Sequence, residues 1–80
     1  MHKMNVDSLG RLIRRQRRMQ KLRQSEVASL AGVGTRFLSE LENGKESLEL
    51  GRVIRVLNVL GMEISIDQRG RYWTGGSDGL

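Results

Sequence analysis

Apolar residues recur with helical spacing near the start of this chain. Leu9, Leu12 and Ile13 are separated by the three- and four-residue intervals that place side chains on one face of an α-helix. Ser8 has a side chain that can cap the N-terminus of such a helix. The pattern therefore predicts a first helix from Ser8 to about Gln20, with arginines on its solvent-facing side.

Glycines mark the ends of two further predicted helices. The second begins near Gln24 and ends at Gly32, a residue type that readily adopts the left-handed backbone found at helix C-termini. The third begins at about Thr35 and ends at the pair Asn43-Gly44. The predicted inward-facing residues are Val27, Ala28, Leu30 and Ala31 in the second helix and Leu38 and Leu41 in the third.

The hydrophobic period changes after a fourth predicted helix, which spans about residues 49–60. Its apolar stripe consists of Leu50, Val53, Ile54, Leu57 and Leu60. Beyond Gly61, the apolar residues Met62, Ile64 and Ile66 alternate with polar ones, and this period of two predicts a half-buried β-strand over residues 62–69. Because no other segment resembles a strand, we expect it to pair with the same strand of a second subunit or to lie unpaired. We interpret residues 70–80, which are rich in glycine, as a flexible tail.

These patterns together predict an all-α fold. Residues 8–61 form a domain of four to five helices, residues 62–69 a C-terminal dimerisation strand, and residues 70–80 the tail. A chain of 80 residues buries only about 60% of its unfolded surface, so dimerisation would supplement a modest stability.

The composition argues against several classes of function. The chain has no cysteine, and its single histidine, His2, lies beside Met1, where we interpret it as part of a fraying terminus. We therefore expect no metal site, no cofactor and no enzymatic activity. No apolar run approaches the roughly 20 residues that a membrane-spanning helix needs, so we expect a cytoplasmic protein without a membrane partner.

The positive charge is concentrated in one segment of the chain. The net charge is +5, and no acidic residue lies between Ser8 and Ser25. That segment contains Arg11, Arg14, Arg15, Arg17, Arg18, Lys21 and Arg23. A helix face that is merely solvated would balance its cations with acids four residues away, so this run indicates a polyanionic partner. Double-stranded DNA is favoured over RNA, since the sequence has only three aromatic residues on which unpaired bases could stack.

Two short helices joined by a glycine-containing turn fit a DNA-binding helix-turn-helix, although any small helical domain can contain such a hairpin. Residues 24–33 and residues 37–45, which end in Glu-Asn-Gly-Lys, resemble the lambda repressor and Cro, or Xre-type, helix-turn-helix family. Residues 57–65 resemble the subgroup of HipB-like antitoxins. The resemblance implies a nucleoid-associated bacterial repressor that binds a palindromic operator as a homodimer and holds a HipA-like kinase toxin. A solitary phage or plasmid repressor is the alternative.

The resemblance also assigns roles to individual residues. The base-reading positions are Thr35, Arg36, Phe37, Ser39 and Glu40. The phosphate-contact positions are Gln24, Asn43 and Lys45, and Arg23 adds a phosphate contact outside the family pattern. Arg17 and Glu42 match a buried ion pair that joins the first helix to the third. Arg36 has a forked pair of donors suited to guanine, whereas Glu40 either accepts from a cytosine amino group or pairs with Arg36.

Two positions depart from the family pattern. Arg23 replaces a helix-capping Ser or Thr, which gives up about 1 kcal/mol but adds a cation for phosphate. Gly34 replaces a polar residue, so we expect modest sequence specificity for each half-site. In the tail, Tyr72 and Trp73 are predicted either to fold back onto the dimer or to dock a partner protein.

Overall fold

The computed structural model describes residues 5–66 and consists of four α-helices in this range. They are α1 (Val6–Met19), α2 (Gln24–Ala31), α3 (Thr35–Glu42) and α4 (Leu50–Val59). Helix α2 packs against both α3 and α4, while α1 packs against α3. No residue from 5 to 66 belongs to a β-strand. The predicted all-helical architecture of the domain is therefore confirmed.

Helix α1 begins two residues earlier than the sequence pattern predicts. Its N-cap is Asn5, whose Oδ1 accepts hydrogen bonds from the Ser8 backbone N–H at 2.8 Å and from the Ser8 hydroxyl at 2.9 Å. Ser8 thus lies inside the first turn, and its predicted capping role is wrong. Asn is as good an N-cap as Ser, and it takes this role because the helix continues back through Val6 and Asp7.

The turn between α2 and α3 has the predicted chemistry. Gly32 adopts a left-handed backbone with φ 70° and ψ 34°, and the N–H of Val33 donates to the Ala28 carbonyl at 2.9 Å. Val33 is half-buried against the core, and Gly34 forms the N-cap of α3. This turn ends α2 sharply and fixes the direction in which α3 leaves it.

The core lies between α2, α4 and the inner faces of α1 and α3. Its buried apolar residues are Ile13, Val27, Ala28, Ala31, Leu38, Leu41, Val53, Val56, Leu57 and Leu60. Four residues predicted to face inward are exposed instead: Leu12, Leu30, Leu50 and Ile54. The apolar face of each helix is wider than the part of it that neighbouring helices cover. The residues at the edges of that face therefore remain on the surface.

Gly10 determines how closely α1 approaches α3. A Cβ atom at this position would overlap the backbone carbonyl oxygens of Leu41 and Glu42. The helices therefore meet backbone to backbone at Gly10, and the contact face of α1 runs through Gly10, Ile13 and Arg17 rather than through Leu12.

The segment after α4 turns at Gly61, whose φ is 74°, and Met62 donates its N–H to the Leu57 carbonyl at 2.8 Å. Met62 packs against the core, whereas Ile64 and Ile66 are exposed. Within the described part of the chain nothing pairs with this segment as a strand, and its pairing with a second subunit stays a prediction. The rest of the predicted strand and the tail, including Tyr72 and Trp73, lie outside the described residues.

Candidate nucleic-acid interface

Helix α3 presents a polar face opposite its buried residues. Leu38 and Leu41 are fully buried and anchor the helix, while Thr35 and Arg36 are exposed on its first turn. The Arg36 side chain is 92% exposed, so its guanidinium can reach a groove in front of the helix. Ser39, one turn further on, is half-buried.

Phe37 is placed differently from the other predicted base-reading residues. Its ring is half-buried and packs against the core, and the guanidinium of Arg52 lies 5.9 Å from the ring centroid. This is within the range of a cation–π contact, which joins α3 to α4. Phe37 therefore has a packing role in the free protein, and its contact with bases stays a prediction.

Glu40 lies between two cations that the sequence assigned to DNA. Its Oε2 is 3.4 Å from Arg36 Nε and also 3.4 Å from Lys45 Nζ. The pair with Arg36 is one of the two alternatives that the sequence left open. The contact with Lys45 was not predicted, because it depends on how the turn after α3 folds back along the helix.

Arg17 and Glu42 form a bidentate ion pair between α1 and α3. Arg17 Nε donates to Glu42 Oε2 at 2.6 Å, and Arg17 Nη2 donates to Oε1 at 2.9 Å. Arg17 also donates from Nη1 to the Leu22 carbonyl at 2.9 Å. The Glu42 side chain has no exposed surface, so this carboxylate lies inside the domain and depends on its donors.

Two further side chains donate to the same carboxylate. Arg14 Nε lies 3.3 Å from Glu42 Oε1, and Gln24 Nε2 lies 3.0 Å from it. We call Arg14, Arg17, Gln24 and Glu42 the buried-anion cluster. Sequence reasoning missed the contribution of Arg14, although its separation of three residues from Arg17 places both on neighbouring positions of one helix.

The cluster keeps both of its central groups charged. Burial alone would raise the pKa of Glu42, but hydrogen bonds from Arg17, Gln24 and Arg14, together with the charge of Arg17, bring that pKa below its ordinary value. The hydrogen bond to Glu42 raises the pKa of Arg17; burial opposes this change and the Glu42 charge reinforces it. No buried side-chain nitrogen or oxygen among the described residues lacks a hydrogen-bond partner.

The predicted phosphate-contact residues lie at the edges of α2 and α3. Asn43 donates from Nδ2 to the Ser39 carbonyl at 2.9 Å and accepts at Oδ1 from Arg14 Nη2 at 3.0 Å. Both ends of this amide are therefore engaged within the protein. Lys45 is about half exposed, whereas Gln24 is directed toward Glu42.

Arg23 lacks a capping side chain, yet the start of α2 is not left open. The Arg23 backbone N–H donates to Glu26 Oε1 at 2.7 Å, so the glutamate three residues later reaches back to the helix start. This contact leaves the exposed Arg23 side chain available for another partner.

Other kinds of site find no support in the part of the chain that the structure describes. Residues 5–66 contain no group of three or more histidine, cysteine, aspartate or glutamate side chains arranged to bind a metal. None of the four helices has the length and apolar character needed to cross a membrane.

Comparison with known proteins identifies the family. Residues 8–68 match the model of the family described as "Helix-turn-helix domain". The chain belongs to the helix-turn-helix family. One relative, "Uncharacterized HTH-type transcriptional regulator y4mF" from Sinorhizobium fredii (strain NBRC 101917 / NGR234), is 48% identical over 58 residues, which cover 72% of this chain and 76% of the relative. The predicted family is thus confirmed, and the chain is a transcriptional regulator rather than an enzyme.

Solved structures share the fold. A chain described as "MDT Protein" and a chain of "Structure of HipA-HipB-O2-O3 complex" each superpose with a TM-score of 0.76. In both cases the match covers 85% of this helix-turn-helix chain and 96% of the other chain, at 19% sequence identity. At this level of identity the likeness establishes the shared architecture.

Proposed function

We propose that this helix-turn-helix regulator is a transcriptional repressor that binds a specific DNA operator as a homodimer. The observation that carries the proposal is the placement of Arg36. Its guanidinium is 92% exposed on the first turn of α3, while the same helix is anchored by buried Leu38, Leu41 and Glu42. A well-anchored helix with an exposed forked donor near its N-terminus is the arrangement that reads bases in the major groove.

Phosphate contacts would set the position of α3, and base contacts would set the sequence preference. Arg36 can donate in parallel to O6 and N7 of guanine, once it leaves Glu40. Arg23, Gln24 and Lys45 flank the helix and would bind phosphates on either side. Asn43 would contribute through its remaining amide hydrogen, since its backbone N–H donates to the Ser39 and Glu40 carbonyls and Arg14 and Ser39 occupy the rest of the side chain.

The exposed apolar surface after α4 supports the homodimer. A groove between α4 and the following segment is lined by Ile54, Leu57, Asn58, Met62, Glu63 and Ile64. Ile54, Ile64 and Ile66 each have more than a third of their surface exposed. Pairing of the 62–69 segments across a two-fold axis would cover Met62, Ile64 and Ile66 and place the two α3 helices about 34 Å apart, so the operator would be a palindrome.

A role as an antitoxin is the narrower form of the proposal. It is supported by the shared fold with a chain of the HipA-HipB complex, and it implies a HipA-like kinase as a second partner. A solitary phage or plasmid repressor remains the rival. A kinase-like reading frame next to the gene would favour the antitoxin. Co-purification with its product, lost when residues 70–80 are removed, would assign the docking site to this tail, where Tyr72 and Trp73 are the proposed anchors.

Selection of bound fragments from a random DNA pool tests the proposal directly. We expect a palindromic consensus. On the selected duplex, Arg36→Ala should lose about 1 to 3 kcal/mol of binding free energy and flatten the preference over random duplexes. Lys45→Ala should weaken binding to both duplexes equally. If the two variants behave alike, the assigned division between base and phosphate contacts is wrong, and the absence of any enriched sequence would refute specific binding.

A further inference from the structure

Arg14 is held in one orientation by two consecutive residues at the C-terminal end of α3, Glu42 and the C-cap Asn43. Its Nε donates to Glu42 Oε1 at 3.3 Å, and its Nη2 donates to Asn43 Oδ1 at 3.0 Å. Its third nitrogen, Nη1, donates to no residue in the range 5–66. The side chain is 36% exposed, so a guanidinium with two fixed nitrogens also has access to solvent.

Arg14 lies where the C-terminal end of α3 meets the N-terminus of α2. Gln24, the first residue of α2, shares the acceptor Glu42 Oε1 with Arg14. Asn43, the C-cap of α3, accepts the second hydrogen bond from Arg14 at its Oδ1. Arg14 therefore joins α1 to the C-terminal end of α3, at the carboxylate that the N-terminus of α2 also contacts through Gln24.

The local charge favours an anion at this point. Arg14 and Arg17 contribute two positive charges and Glu42 one negative charge, which leaves +1 on the cluster. Arg17 is buried, and the exposed share of that charge is on Arg14. By contrast, Arg11 on the same helix is neutralised by Asp7 at 2.6 Å.

From this geometry we propose that Arg14 is a DNA phosphate contact, in which Nη1 donates to a backbone phosphate beside α3. The inference rests on the proposed DNA-binding function. Because Glu42 and Asn43 already restrain the guanidinium, little side-chain entropy remains to be lost when the phosphate binds. A lysine would keep the charge but not the fork that satisfies Glu42, Asn43 and a phosphate together.

The test measures DNA affinity by fluorescence anisotropy over a range of salt concentrations, with a duplex selected by the wild-type protein and a random-sequence duplex. Arg14→Gln is expected to lower the slope of log K against log salt by about 0.9, the value for one phosphate, and to weaken both duplexes about tenfold at physiological salt. Arg14→Lys should retain most of the slope and lose a smaller part of the affinity.

Arg15→Gln is the matched control, because it removes the same charge from an exposed neighbouring position of α1. It should change the slope by less than half as much. If Arg14→Gln and Arg15→Gln lower the salt slope equally, the loss reflects only the net charge of α1 and not a specific phosphate contact, and the proposal is overturned. A loss confined to the selected duplex, with the slope unchanged, would also overturn it by assigning Arg14 to the positioning of α3. Thermal unfolding confirms that each variant is folded, and failure of the wild-type protein to bind either duplex would refute the DNA-binding function itself.

Discussion

Glu42→Ala removes the carboxylate that joins α1, α2 and α3. Arg17, Arg14 and Gln24 would lose their common acceptor, and Arg17 would remain as a buried cation without a carboxylate partner. Breaking a buried ion pair in this way costs about 3 to 5 kcal/mol. An 80-residue domain has a total stability of about 4 to 12 kcal/mol, so the variant should lose a large share of its unfolding free energy.

Urea unfolding followed by circular dichroism measures this loss through the shift of the midpoint at an unchanged slope. Glu49→Ala is the control, because Glu49 forms a solvent-exposed pair with Arg52 at 2.9 Å, and the removal of such a pair costs less than about 1 kcal/mol. If Glu42→Ala is no more destabilising than Glu49→Ala, the buried-anion cluster does not anchor the domain.

The same cluster predicts a dependence on pH. The pKa of Glu42 is lower in the folded protein than in the unfolded chain, so its ionised form stabilises the fold. That contribution is complete above the unfolded-state pKa of about 4.3 and is lost as the pH falls below it through the folded-state pKa. The stability difference between the wild-type protein and Glu42→Gln should therefore be large at pH 7 and shrink in acid. A difference that is constant with pH would contradict this assignment.

Two further predictions concern packing and assembly. Gly10→Ala should cost about 1 to 3 kcal/mol in thermal or urea unfolding, because its Cβ would overlap the backbone of α3, whereas Gly51→Ala in α4 meets open space and should be neutral or stabilising; equal stability of the two variants would contradict the close approach. Ile64→Asp should shift the protein toward monomer in analytical ultracentrifugation and weaken operator binding, whereas Ser65→Asp should not. An Ile64→Asp variant that stays dimeric at micromolar concentration would place the interface elsewhere, most directly on α4.

Local chemistry explains why most helix ends could be predicted. Gly32 and the pair Asn43-Gly44 end helices through their own backbone preferences, and neither depends on distant residues. The start of α1 was missed because Asn5 and Ser8 are both good N-caps, and the sequence alone does not decide which of them interrupts the helix. The position of this helix start depends on whether the turn before Ser8 also packs against the rest of the domain.

Tertiary placement explains the errors in the predicted core. Helical spacing identifies Leu30, Leu50 and Ile54 as part of apolar stripes, but it does not show where a neighbouring helix crosses each stripe. Part of this exposed surface borders the groove that we assign to the dimer, so the sequence pattern indicated burial that a single chain does not provide.

The candidate site was predictable only where a family motif covers it. Arg17 and Glu42 were paired through the resemblance, but Arg14 and Gln24 join them across 28 and 18 residues of sequence. No local pattern encodes those distances. They follow from the close approach at Gly10, which brings this end of α1 alongside the end of α3.

The two acids of α3 divide its electrostatics between the core and the surface. Glu42 is buried and neutralises Arg17, while Glu40 lies outside and offsets one of the two cations Arg36 and Lys45. These three groups give the outer face of α3 and the turn after it a net charge of only +1. The larger excess of positive charge lies on α1. In the proposed complex, attraction to the phosphate backbone would come mainly from α1, which carries no sequence information. Binding a base would break the ion pair between Arg36 and Glu40. Only a DNA sequence that offers both side chains new hydrogen bonds would offset that loss. A weakly charged α3 would therefore discriminate between DNA sequences more sharply than a strongly basic helix would.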